Sequence, residues 1–225
     1  MKTKTFLEKK RKKMMVVVFI LSLFFTFSCK KDNVNDLGGD TQIALTEVGN
    51  TTSLYLTIGS LQLPGSLEVK SRDADGVVTY HASFDYSSFP EADEIDALVP
   101  DSYQDGPGLI NTDIKLKITS EGYQDLFAEH TPFIMFRYND GVGTQYKSTK
   151  NSGGEAVRTL TEKTGEDDFY WGGMFIKTVK VEQNGDAPFK KYTFRGNHRF
   201  GLVYVEVEMN SGEKAKLSLF PDFPL

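Results

Sequence analysis

Apolar and polar residues alternate along most of the chain from residue 41 onward, which is the pattern of half-buried β-strands. Leu54, Leu56 and Ile58, for example, form one apolar face, with Tyr55 and Thr57 on the other. The same alternation recurs in residues 114–118, 203–209 and 215–219. Each of these strands is therefore expected to bury one face and expose the other.

Turn-forming residues separate the alternating segments. Asn, Asp and Gly accept the positive φ angles that tight hairpin turns require. Four such clusters occur, at residues 73–76, 139–141, 184–186 and 210–212. They predict hairpins over 66–86, 132–148, 173–195 and 200–220, the last two forming a four-stranded meander. Phe133 to Phe136 is apolar on both faces and predicts a strand at the centre of a sheet.

The main interruption of the strand pattern is segment 87–112, which is rich in proline and acidic residues. Ala92, Ile95 and Leu98 predict one or two turns of helix there, opened by Pro90. About a dozen strands without a long helix predict an all-β fold, either a sandwich or a barrel.

A short region resembles a known kind of module. Leu67-Glu68-Val69, the turn at 73–76 and the strand with its Gly-Tyr ending at 114–123 resemble carboxypeptidase regulatory-like or immunoglobulin-like modules. The resemblance, over 66–123, implies an antiparallel, Ig-like β-sandwich at 41–130. An antiparallel meander lobe at 131–225 would follow it. Two separate domains and one continuous domain both stay open.

The start of the chain has the pattern of a secretory signal peptide. Seven basic residues precede residue 14, and residues 14–27 carry no charge. Fourteen residues make about 21 Å of helix, which is short of the ~30 Å hydrocarbon core of a bilayer. We therefore expect residues 1–28 to be a cleaved signal peptide.

Residues 25–29, Phe-Thr-Phe-Ser-Cys, resemble the lipobox of Bacteroidota-type lipoproteins, although Thr26 and Phe27 depart from its usual pattern. The resemblance implies that Cys29 carries a lipid and anchors the chain in the outer membrane. An incidental cysteine is the alternative. Residues 29–40 are predicted to be a flexible tether. Lys30-Lys31-Asp32 partly resembles a signal for surface display, so we expect the cell surface rather than the periplasmic face.

Composition narrows the possible functions. Cys29 is the only cysteine, so no intramolecular disulfide or Cys-X-X-Cys site exists. Removal of residues 1–28 leaves 19 basic and 30 acidic residues, a formal charge of −11. Nucleic acid is a poor partner for such a surface.

Catalytic and metal-binding signatures are missing from the sequence. The three histidines, His81, His130 and His198, have no metal-type partner three or four residues away. Asp73, Asp75 and Gly76 resemble the start of a calcium loop, but the Glu expected six residues later is an alanine. We expect no metal, no cofactor and no enzymatic activity.

One aromatic cluster is a candidate binding site. Phe169, Tyr170 and Trp171 follow two aspartates and precede two glycines. Aromatic faces stack on sugar rings, and glycines allow a ligand to approach closely. Phe169 and Trp171 are two apart on a strand, however, so burial in the core is the favoured alternative. A contact site for a protein partner, where Trp and Tyr are enriched, is the third.

These features predict a membrane-anchored, non-catalytic lipoprotein that binds a protein or a glycan, or has a structural role. A glycan-binding accessory protein of a polysaccharide-uptake system is the alternative, followed by a hydrolase with a non-contiguous pair of carboxylates.

Overall fold

Strands make up almost all of the regular structure. Our computed structural model describes residues 36–88, 92–96, 103–127, 130–187 and 189–222, and within them the chain forms fourteen β-strands. The first seven are β1 (Thr51–Ile58), β2 (Leu61–Arg72), β3 (Val77–Asp85), β4 (Leu109–Thr119), β5 (Gly122–Asp125), β6 (Phe133–Arg137) and β7 (Gln145–Thr149). The others are β8 (Glu155–Lys163), β9 (Phe169–Trp171), β10 (Met174–Ile176), β11 (Val179–Asn184), β12 (Phe189–Asn197), β13 (Gly201–Met209) and β14 (Lys214–Asp222). The all-β prediction is confirmed.

Twelve of these strands form one antiparallel sheet, in the order β6-β5-β4-β3-β2-β1-β14-β13-β12-β11-β8-β7. The sheet therefore consists of two meanders, β1–β6 and β7–β14, joined where β1 pairs with β14 through Thr51 and Asp222. Strands β9 and β10 leave the second meander and form a separate hairpin.

The two outer strands of this sheet come together, so the sheet is nearly closed. The backbone N–H of Thr131, just before β6, donates to the carbonyl of Thr149 in β7 at 3.0 Å. Nearby, the Tyr146 hydroxyl accepts a hydrogen bond from the N–H of Arg137 and donates one to Asp140. We call this junction of β6 with β7 the seam.

Three of the four predicted hairpins are present. Residues 66–86 lie in the β2–β3 hairpin, and 200–220 contain the β13–β14 hairpin. The turn at 184–186 joins β11 to β12, and β11–β14 form the predicted meander. A continuously paired hairpin over 132–148 is wrong, because β6 and β7 form no ladder with each other. The two strands meet only at its open end, where an isolated antiparallel bridge joins His130 to Lys150.

The expected central position of residues 133–136 is also wrong. β6 is the first strand of the sheet order, yet Phe133, Ile134, Met135 and Phe136 are all buried. Side chains of this end strand pack against the second meander: Arg158 of β8 lies over the Phe133 ring, and the Phe136 ring lies against Gly196 of β12. The strand is therefore buried although it ends the sheet order, and its continuous apolar run has the pattern of a central strand.

The structure does not show the Ig-like sandwich expected over 41–130. Strands β1–β5 continue into the same sheet as the strands of 131–225, and the first meander extends to β6. Residues Asn35–Leu225 form one compact unit.

The core fills the space inside the curved sheet, where alternate side chains of both meanders meet. Leu37, before the first strand, belongs to this core and is 2% exposed. The carbonyl of Gly38 accepts a hydrogen bond from Thr119. The tether predicted over 29–40 is therefore wrong for residues 36–40, while residues 29–35 lie outside the described residues.

The helix expected in segment 87–112 is present as α1 (Ala92–Asp96). Asp96 accepts hydrogen bonds from the Tyr86 hydroxyl, at 2.7 Å, and from the N–H of Gly108. No helix in the described part of the chain is long and apolar enough to cross a membrane. The predicted signal peptide, 1–28, and Cys29 lie outside the described residues.

Candidate functional site

The aromatic cluster predicted from sequence forms the β9–β10 hairpin. Gly172 and Gly173 make its two-residue turn with φ angles of +56° and +92°, a conformation that side chains other than glycine disfavour. Tyr170 lies opposite Phe175, and Trp171 opposite Met174. Side chains of a strand alternate between its faces, so neighbouring aromatic residues point in opposite directions.

Trp171 fixes the hairpin to the outer side of the sheet. It is 8% exposed, and its ring stacks on Phe220 at 5.0 Å and packs against Phe200 at 4.7 Å between centroids. Its indole N–H donates to the carbonyl of Leu219 at 3.0 Å. The ring is therefore part of a packed cluster with a satisfied polar group.

The other two predicted aromatic residues differ from Trp171 in exposure. Phe169 is half-buried, with the Arg195 guanidinium 4.7 Å above its ring and Tyr204 at its edge. Tyr170 is 64% exposed and contacts the 59% exposed Phe175. Of the three, only Tyr170 presents most of its surface to solvent.

A groove of about 670 Å³ runs beside this hairpin, over the outer face of strands β11–β14. Its walls include all three predicted aromatic residues, and its floor is strongly polar. Five basic and two acidic side chains line it, namely Lys180, Lys191, Arg195, Lys214 and Lys216 with Glu182 and Glu206. The whole chain has a formal charge of −5, so this face is opposite in sign to the rest of the molecule.

The two glutamates hold several of these basic groups in place. Glu182 lies 2.9 Å from Lys180 and 3.3 Å from Lys191, and Glu206 lies 2.7 Å from Lys214. Burial raises the pKa of both carboxyls, but their hydrogen bonds and the lysine charges outweigh it and lower the pKa overall. Both glutamates are therefore ionised at neutral pH.

Positive charge remains after this pairing. Lys216 lies opposite Glu206 in the β13–β14 register but makes no hydrogen bond or ion pair with the described residues. Glu162, at the border of the groove, pairs with Arg195 at 3.1 Å and raises the acidic count to three against five. The groove therefore offers N–H donors and net positive charge next to exposed aromatic surface.

Sequence reasoning missed the basic part of this site. Lys180, Lys191 and Lys216 lie on different strands and look like ordinary outward-facing residues in the linear pattern. Only the order of the strands in the sheet brings them together. The available signal was the excess of lysine on the polar face of the meander.

Other candidate residues have structural partners. Asp73 accepts hydrogen bonds from the N–H groups of Asp75 and Val77, so it closes the β2–β3 turn. His81 is hydrogen-bonded to Asp113 and Asn111 on the outer face of the sheet. Among the described residues, no three His, Cys, Asp or Glu side chains are grouped so that they could hold a metal ion.

Comparison with known proteins gives little further guidance. No family model and no curated protein matches the chain. A protein of Bacteroides fragilis, described as exported and as having a YmcC-like fold, is similar in structure, with 6% identity and a TM-score of 0.47 over 79% of this chain and 97% of that one. A protein of Parabacteroides distasonis described as a lipoprotein has 10% identity and a TM-score of 0.39 over 77% and 94%. Both TM-scores are below 0.5, so neither similarity indicates a function for this chain.

Proposed function

We propose that this protein is a non-catalytic glycan-binding lipoprotein whose groove on β11–β14 binds acidic carbohydrate. The observation that carries the proposal is a net positive groove, beside an exposed aromatic hairpin, on a chain of net negative charge. The net negative charge of the chain disfavours non-specific binding of a polyanion, so a positive groove favours both this class of ligand and its position.

The chemistry of the groove matches an acidic sugar. Lysine and arginine supply only hydrogen-bond donors, which suit carboxylate and hydroxyl oxygens. Tyr170 presents an open ring on which an apolar sugar face can stack. The volume of about 670 Å³ falls within the usual range of small-ligand pockets, about 300–1,000 Å³.

The groove carboxylates support a binding role rather than hydrolysis. A glycosidase needs one carboxyl group that keeps its proton near neutral pH. Lysines lower the pKa of Glu182 and of Glu206, so neither suits the role of general acid. A role in polysaccharide uptake would use the same binding step.

Membrane attachment through Cys29 is the second part of the proposal and rests on the lipobox-like sequence. We expect radiolabelled palmitate to enter the full-length protein and not the Cys29→Ala variant in a lipoprotein-processing host. Label that persists in Cys29→Ala would contradict the lipid anchor.

The glycan proposal is tested with the chain from residue 30 onward, which contains the compact unit Asn35–Leu225. Binding of polygalacturonate, a polyuronic acid, is measured beside neutral dextran, at low and at high salt. We expect polygalacturonate to bind in a salt-sensitive way and dextran to bind much more weakly.

Two variants with equal change in net charge locate the site. Lys191→Glu with Lys216→Glu alters the groove, whereas Lys70→Glu with Lys147→Glu alters exposed lysines elsewhere. The groove variant should lose at least about tenfold in affinity, the value of a single strong charged contact. Equal losses in both variants, or no binding by the wild type, would refute the proposal.

A further inference from the structure

The interior of the curved sheet is incompletely filled. A cavity of about 250 Å³ lies between the two meanders, lined almost entirely by apolar side chains such as Leu54, Leu116 and Leu219. Protein interiors are normally close-packed. Apolar cavities of about 150 Å³ stay dry and accept apolar guests, so this space suits a hydrocarbon group.

A second cavity, of about 550 Å³, adjoins the first. Phe127, Phe194 and Val205 line both of them, so the two spaces meet at these three side chains. The second cavity reaches the surface between the β7–β8 and β11–β12 turns, where Ser152 and Asp186 are exposed. The inner space is apolar and the outer one is open to solvent, and these three side chains stand at the boundary between them.

A buried arginine lies in the wall of the outer cavity. Arg158 is 4% exposed, and its guanidinium lies 3.9 Å from the Phe133 ring centroid. Its Nη1 donates to Asp125 at 2.6 Å, and its Nε donates to Gln183 at 2.9 Å. No hydrogen bond joins its Nη2 to the described residues, and this atom is not among the fully buried ones that lack a partner. It therefore faces the cavity and can donate to water or to a ligand.

Charged groups of both signs lie around Arg158. Asp125 is fully buried beside it, and His130 Nε2 lies 3.3 Å from the other carboxylate oxygen of Asp125. Burial raises the pKa of Asp125, although the charges of Arg158 and His130 oppose that rise. Lys150 and Asp186 pair across the mouth. Arg158 and Lys150 thus balance Asp125 and Asp186, and the Nη2 of Arg158 is the donor that these pairs leave unused.

We propose that this interior space binds a fatty carboxylate, with its hydrocarbon chain in the apolar cavity and its carboxylate at Arg158. The ligand supplies what each end lacks: an anionic oxygen for the free Nη2 donor, and apolar volume for the unfilled core. The site is separate from the outer groove on β11–β14, because it lies on the opposite face of the sheet. The proposal therefore goes beyond glycan binding and does not depend on it.

The first test compares ligands on the unaltered protein from residue 30 onward. Titration calorimetry is carried out with saturated fatty acids of increasing length and with the methyl ester of dodecanoic acid. Affinity should rise about fourfold per added methylene, the gain from burying one such group, and should level off when the cavity is full. The ester should bind about tenfold more weakly than the acid, because it cannot form the charge-assisted bond to Arg158.

The second test fills the cavity. Ala82 on β3 lines the inner cavity, whereas the neighbouring Ser83 points to the other face of the strand. Ala82→Phe should abolish binding of dodecanoate, and Ser83→Phe should leave it unchanged. The double groove variant at Lys191 and Lys216 should also bind dodecanoate normally, which separates this site from the glycan site.

Several results would overturn the proposal. Equal affinity for the acid and the ester would contradict the role of Arg158 in binding the carboxylate. Affinity that does not depend on chain length would contradict binding of the hydrocarbon chain in the cavity. Normal dodecanoate binding by a folded Ala82→Phe variant would do the same. The acid–ester comparison needs no variant, so it decides the matter even if a substituted chain does not fold.

Discussion

At the scale of single residues, two neighbours on strand β9 differ sharply in how much of their side chain is exposed. Trp171 is 8% exposed and is hydrogen-bonded to Leu219, whereas its neighbour Tyr170 is 64% exposed. A substitution at Trp171 is therefore expected to change the stability of the fold. A substitution at Tyr170 is expected to change the affinity for a ligand in the groove. Sequence alone groups the two as one aromatic motif.

Trp171→Ala should lower the free energy of unfolding by about 3–5 kcal/mol, because it leaves a cavity between Phe200 and Phe220. Trp171→Phe should cost less, mainly the hydrogen bond to Leu219, and Tyr170→Ala should stay within about 0.5 kcal/mol of the wild type. Urea denaturation measures all three.

Acrylamide quenching provides an independent check, because Trp171 is the only tryptophan in the chain. The folded protein should show shielded emission. Easy quenching together with an unchanged stability of Trp171→Ala would contradict the packing described for this ring.

At the scale of elements, the β9–β10 hairpin depends on its two glycines in different ways. Both have positive φ angles, but a Cβ at Gly172 would lie 2.8 Å from the Phe220 ring, while a Cβ at Gly173 would meet nothing within 4 Å. The Phe220 ring is stacked on Trp171, so it cannot move without disturbing that contact.

We expect Gly172→Ala to destabilise the protein by about 1–3 kcal/mol more than Gly173→Ala does, since overpacking adds to a similar backbone strain. Thermal unfolding of the two variants, followed by tryptophan fluorescence, provides the comparison. Equal effects would mean that Phe220 relaxes freely.

The groove formed by β11–β14 should change its charge at acidic pH. Glu182 and Glu206 have pKa values lowered by their lysine partners, so they stay ionised until the pH falls below the usual carboxyl range near 4.5. When they take up protons, the lysines lose their internal partners. The groove then becomes more positive.

Sulfated dextran, whose charge does not titrate in this range, should therefore bind more tightly as the pH falls through the lowered pKa values of these two groups. Glu182→Gln with Glu206→Gln should show the tighter binding already at pH 7. Affinity that falls on acidification, measured with folding checked by circular dichroism, would contradict this.

At the scale of the whole molecule, closure of the sheet at the seam is the feature that sequence could not give. Period-two alternation identified the strands and their turns correctly at 66–86 and 200–220. This alternation does not show which strands pair over a long distance in sequence, so the apolar run Phe133 to Phe136 predicts a central strand although β6 ends the sheet order. The pattern also does not contain the order of the strands in the sheet. The basic groove could not be predicted for that reason, because its lysines come together only across neighbouring strands.

The seam itself can be tested through Tyr146, which is 1% exposed and bonds to both Arg137 and Asp140. Tyr146→Phe leaves the Arg137 N–H without that partner and should cost about 1–3 kcal/mol. Hydrogen exchange at the Arg137 amide should accelerate. Tyr55→Phe, at an exposed ring, is the matched control, and equal exchange in both variants would contradict the seam.

Pairing of β1 with β14 also has a kinetic consequence. Ser53 and Asp222 are 169 positions apart, yet they are hydrogen-bonded in the middle of the sheet. Contacts so distant in sequence make folding slow, because a long loop must close before they form. Each meander can assemble from neighbouring strands as the chain emerges, but β1 keeps an open edge until β14 arrives. During that interval the chain is most exposed to aggregation with another copy of itself.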